Sequence, residues 1–101
     1  MKPEHILDVL ETLIEFLPDE SPEDKHETYA AILILADDLK KYARQKNIHY
    51  AYVSGKIASF LKECSFISRL SKGEPGIARH LASAYRHLKA LRSEAGLDIR
   101  Q

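Results

Sequence analysis

The chain has 101 residues, 45 % of them hydrophobic, and its 15 Lys+Arg balance its 15 Asp+Glu at a formal net charge of zero. That length suits one domain with a core of its own and a radius of gyration of roughly 13 Å, and the zero excludes both a uniformly basic nucleic-acid binder and a uniformly acidic mimic. It is nevertheless the sum of two unlike parts: residues 1–38 hold eleven acids and two bases (−9), and residues 39–101 hold four acids and thirteen bases (+9).

Four helical segments are predicted in chain order, over about 3–17, 22–46, 49–71 and 76–95. The first begins at Pro3, a favoured first helical residue, and stops before Pro18. Ile6, Leu10, Leu13 and Leu17 form its apolar stripe, widened by Leu7 and Ile14. Glu4, Asp8, Glu11 and Glu15 repeat the same spacing on the opposite face. Like charges so spaced repel by a few tenths of a kcal/mol per pair, so a helix that accepts them often has something positive facing it. The second segment carries the clearest start signal, Ser21-Pro22-Glu23-Asp24, with a capping serine, a proline behind it and an acid three residues after the cap. Tyr29, Ile32, Ala36, Leu39 and Ala43 make its core stripe. Lys40, Lys41, Arg44 and Lys46 fall in its last turns, where cations suit the helix dipole. Ile34 projects from the opposite side, flanked by Ala30 and Ala31, and is expected either under another helix or on a self-association surface. At 1.5 Å per residue this helix is about 37 Å long, enough to kink or to reach into a dimer.

The third segment is apolar on two sides. Tyr50, Val53, Ile57, Phe60, Leu61, Cys64 and Ile67 share one face, while Ile48, Tyr52, Phe66 and Leu70 project from the other. Either the helix is central and covered on both sides, or it breaks near Cys64-Ser65. Residues 48–53 also alternate like a strand, but a lone strand would have no partner. After the loop Lys72-Gly73-Glu74-Pro75-Gly76, the residues Ile77, Leu81, Ala84, Leu88, Leu91 and Ala95 define a last helix, with Gly96 and Leu97 as its C-terminal cap. The expected fold is all-α, a small four-helix bundle-like single domain over residues 1–101 that dimerises through helix faces.

One cysteine, Cys64, excludes an internal disulfide framework and fits a reducing compartment. The longest apolar run, Tyr29–Ala36, is far short of the about 20 residues a membrane span needs. The segment Met1–Glu11 is acidic where a secretion signal is basic and then apolar. These features lead to the expectation of a soluble cytoplasmic protein that does not engage membranes.

The last helix carries Arg79, Ser83 and Arg86 opposite its apolar stripe, with His80, His87 and Lys89 alongside. Arginine forks bidentately onto carboxylate or phosphate and lysine adds a point charge. Arg79, Ser83, Arg86, His87 and Lys89 are therefore the candidate partner-binding set, and Glu4, Asp8, Glu11 and Glu15 the candidate acidic face. The two faces are either solvated, or neutralise each other, or take separate partners. No complete catalytic set is present, and neither a metal nor a cofactor is expected. Glu23-x-x-His26 occurs once where a di-iron helix bundle needs it twice. His80 and His87 stand about 10 Å apart along the axis.

Two short segments resemble known motifs. The run Ile57 to Gly73 is similar to the helix-turn-helix of Cro/cI-type repressors. Ala58 and Leu61 match its first helix, Ile67-Ser68-Arg69 its recognition helix, and Gly73 the position beyond; Lys62 stands where that pattern has its turn glycine. The resemblance implies Ser68 and Arg69 at base edges, with nearby basic residues on phosphates. Arg44-x4-His49 resembles the motif of HEPN ribonucleases, which are helical dimers that cleave RNA. It implies Arg44 stabilising phosphate charge and His49 moving a proton. The reading favoured by the whole chain is a small non-enzymatic regulatory or adaptor protein that binds a macromolecular partner, either a protein or a second copy of itself as a homodimer. A DNA-binding regulator, working through the basic C-terminal half, and a HEPN-type ribonuclease are the alternatives.

Overall fold

Proline and a capping serine set the first two helix starts where the sequence places them. In the computed structural model, which describes residues 2–71 and 73–94, α1 spans Pro3–Phe16 and tightens into a 3-10 turn, Leu17–Asp19, around Pro18. α2 spans Pro22–Lys46, and the Ser21 hydroxyl accepts the Asp24 N–H at 3.2 Å. It ends on Asn47, left-handed at φ 53°, a conformation asparagine tolerates better than most residues. His49, at φ 35°, is left-handed too. These two residues reverse the chain over a link of three, at a cost of roughly 1–2 kcal/mol each.

α3 spans Tyr50–Arg69 and runs unbroken through Cys64-Ser65. Of the two readings the sequence left open, the central helix is the one that forms. α2 packs on one flank and α4 on the other, so the second apolar side is largely covered: Ile48, Phe66 and Leu70 are half-buried, and Tyr52 stays outside. α4 spans Gly76–Arg92, three residues short of the expected end; Ala95 and the Gly96-Leu97 cap lie outside the described residues. Gly73, at φ 89°, turns the link before it, and the Glu74 carboxylate there accepts the Ser71 N–H at 2.5 Å.

The result is an all-helical bundle of 39 × 23 × 22 Å with a radius of gyration of 13.3 Å. α1 and α3 each pack against both α2 and α4, which puts α2 and α4 at opposite corners. Between the four helices lie Ile6, Leu7, Leu10 and Ile14 of α1, the stripe Ile32-Ala36-Leu39-Ala43 of α2, Val53, Ile57, Phe60, Cys64 and Ile67 of α3, and Ala84, Leu88 and Leu91 of α4. One buried position departs from the expected pattern: Lys25, 6 % exposed, continues the α2 core stripe. No helix among the described residues is long and apolar enough to cross a membrane.

Candidate functional site

At 100° per residue the acids of α1 sit about 120° from its buried stripe, on the flank that faces α4. There the Arg92 guanidinium reaches the Asp8 carboxylate at 2.7 Å and the Glu11 carboxylate at 3.8 Å. Tyr85, about two turns earlier on α4, is hydrogen-bonded to Glu15. Burial first, then the charges of Glu15 and Glu11, push its phenol above the ordinary value. The acidic face is therefore answered in part from within the chain. Asp8 and Glu11 remain 57 % and 44 % exposed, so each contact contributes only about 0.2–1 kcal/mol.

The basic face behaves differently. Arg79, Arg86 and Lys89 are exposed, and none of them makes an ion pair among the described residues. Arg79 and Arg86 lie almost opposite the buried stripe of α4, at helix angles about 150–170° from it. Ser83 and His87 sit half-buried on the flank toward α3. His87 is held below its ordinary pKa by burial, then by the charges of Lys56 and Arg86, with Glu63 opposing. It is neutral at neutral pH, and protonating it costs the folded state, so its contribution to stability is lost as pH falls. Lys56 comes from α3 and lies over the Tyr52 ring at 5.6 Å; Tyr52 is 45 % exposed. The acid nearest this cluster, Glu63, is already engaged. His80 Nδ1–H donates to the Glu63 carboxylate at 2.6 Å, and the His80 ring stacks on Phe66 at 4.8 Å between centroids. The structure thus keeps the five predicted α4 residues on one side of the bundle and adds Lys56 and Tyr52. The signal for those two was present in the sequence: both lie on the flank of α3 some 60–100° from its buried face.

Comparisons with protein-family models, curated proteins and solved structures return no match.

The remaining candidates are engaged separately. Arg44 donates to the Tyr50 hydroxyl at 2.6 Å, and its guanidinium covers that ring at 4.9 Å. The Arg44 hydrogen bond holds the half-buried Tyr50 phenol below its usual pKa. His49 pairs instead with Glu94, at the end of α4, so Arg44 and His49 have different partners. Residues 57–69 form one continuous helix, with Lys62 in its interior, where the helix-turn-helix resemblance implies a turn. Ser68 and Arg69 fold back on the last turn of α3: the Ser68 hydroxyl donates to the Ser65 carbonyl at 2.8 Å, and Arg69 donates to the Ser65 hydroxyl at 2.5 Å. Ile34 is 66 % exposed; Ala30 is exposed and Ala31 half-buried beside it. Among the described residues no group of three or more His, Cys, Asp or Glu is placed to hold a metal ion.

Cys64 is fully buried, and burial pushes its thiol up to about 12. A thiol that is both protonated and inaccessible is unreactive. Iodoacetamide is expected to modify it at neutral pH only when the core opens, so the labelling rate measured by mass spectrometry should rise with urea in parallel with unfolding. Rapid labelling of the native protein would contradict that placement.

Proposed function

We propose that the protein is a non-enzymatic binding module, regulatory or adaptor-like, that docks an acidic protein surface on the outer side of α4 and its α3 flank. One contrast carries this reading. Arg92, the α4 cation directed at α1, is neutralised by Asp8 and Glu11, while Arg79, Arg86 and Lys89 have no acidic partner among the described residues. Lys56 extends that unneutralised charge onto α3, and Tyr52 offers a flat, partly apolar surface beside it. Arginine and tyrosine are the residue types that carry most energy at protein interfaces. Exposed cations on such a face set the association rate and its salt dependence more than the dissociation rate.

The test is fluorescence anisotropy with a labelled polyglutamate peptide. Binding is expected at low salt and is expected to weaken as salt approaches physiological strength, where the Debye length is about 8 Å. Replacing Arg79, Arg86 and Lys89 together by alanine should weaken binding by about 3- to 150-fold, given roughly 0.2–1 kcal/mol per exposed contact. If the peptide is ignored while duplex DNA is retained with a steep salt slope, the DNA-binding alternative replaces this reading.

A further inference from the structure

We infer that the outward face of α2 docks a second copy of this chain, antiparallel, with the two-fold axis passing beside Ile34. This does not depend on the α4 reading, because α2 and α4 occupy opposite corners of the bundle.

The apolar part of the argument is local. Ile34, 66 % exposed, is the most exposed large hydrophobic among the described residues, and its neighbour Leu33 is 41 % exposed. At 100° per residue Ile34 points almost directly away from the buried stripe Ile32-Ala36-Leu39-Ala43. Ala30 and Ala31, one turn before it, leave room for a second helix to approach.

The charge layout chooses the occupant and its direction. Glu27 and Lys41 lie on the same outward face, seven residues before and after Ile34, so each is roughly 10 Å from it along the axis. An antiparallel copy centred on Ile34 brings Glu27 level with the partner's Lys41, and does so twice. Asp37 and Asp38 fall level with the partner's Ala31 and the partner's Ala30, so no acid opposes an acid. A parallel copy in register would set Glu27 against the partner's Glu27 and Lys41 against the partner's Lys41. Lys41 is free to change partner: its pair with Asp37, at 3.1 Å, has both side chains more than half exposed. The surface of one helix is smaller than the roughly 800 Å² per partner of a standard interface. The dimer is therefore weak, forming in the micromolar range or above. Its two α4 faces point outward, which would let one dimer engage a repeated acidic partner at two points.

Sedimentation equilibrium on the full chain tests this. The wild-type mass is expected to rise from 11.5 kDa toward twice that between micromolar and near-millimolar concentration. Ile34→Asp should hold it at the monomer mass, with an unchanged circular dichroism spectrum because the site is exposed. Lys41→Glu and Glu27→Lys should each weaken the dimer about tenfold, since each removes two exposed pairs and creates two repulsions. Mixing these two variants should restore association, because each then supplies what the other lacks. A wild-type mass that stays monomeric overturns the inference. So does a dimer indifferent to Ile34→Asp, or a pair of charge variants that do not recover on mixing.

Discussion

Phe60→Ala is expected to cost about 3–5 kcal/mol of folding stability. Phe60 is the largest fully buried side chain, and it sits in the middle of α3, the helix that packs on both α2 and α4. Truncation removes the transfer free energy of the ring and leaves a cavity that three helices would have to close together. A domain of this size has about 5–15 kcal/mol in total, so the variant loses a large fraction of it. Urea unfolding followed by circular dichroism at 222 nm gives the measurement. The midpoint should fall sharply while the slope, about 1–3 kcal/mol/M for a small domain, stays as in the wild type. As a control, Ile34→Ala at an exposed position should stay within about 0.5 kcal/mol. A Phe60→Ala variant within 1 kcal/mol of wild type would mean that α3 is not the centre of the bundle.

That central role was half legible in the sequence. α1 and α4 each have one apolar stripe, so the 3.6-residue period alone tells which side is inside, and Ile6, Leu10, Ala84, Leu88 and Leu91 are buried as the spacing predicts. α3 is apolar on two sides, and periodicity cannot say whether such a helix is sandwiched or broken. The neighbours on either flank decide that, and their positions depend on the 47–49 and 70–75 links. The charged faces show the same division. The spacing of Glu4, Asp8, Glu11 and Glu15 declared a face, and mutual neutralisation was one of its readings. That Arg92, rather than Arg86 or Lys89, supplies the answering charge depends on how α4 lies against α1, which no single helix encodes. The burial of Lys25 is legible in the same spacing. Lys25 lies seven residues before Ile32 and eleven before Ala36, in line with the core stripe, but a lysine is ordinarily read as solvated because long charged side chains are almost never fully buried without a partner.

The partner explains why Lys25 is tolerated, and it sets the second large effect. The Lys25 ammonium donates to the Leu70 carbonyl at 2.5 Å, and Leu70 caps the C-terminus of α3. The last carbonyls of a helix have no intrahelical donor and carry the negative end of its dipole, so the cation satisfies an acceptor there and ties the start of α2 to the end of α3. Beside it opens a cavity of about 270 Å³ lined in part by Glu20, Ser68, Arg69 and Ser71. Glu20 accepts the Thr28 hydroxyl at 2.9 Å through one carboxylate oxygen, while its other oxygen is buried without a hydrogen-bond partner. Removing the ammonium therefore leaves a carbonyl unpaired and takes a positive charge from the surroundings of that carboxylate. Lys25→Ala, which also deletes the buried stem, is expected to cost about 2–4 kcal/mol. Lys25→Met keeps the stem and isolates the head group, at about 1–3 kcal/mol. Hydrogen exchange locates the effect: in Lys25→Met the amides of the last turn of α3 should exchange faster than those around Phe60, because the tether lost is local. A Met variant as stable as wild type would show that the desolvation of the ammonium cancels its hydrogen bond, as can happen for buried ionic groups. In that case α2 and α3 are held together at this end by apolar packing alone.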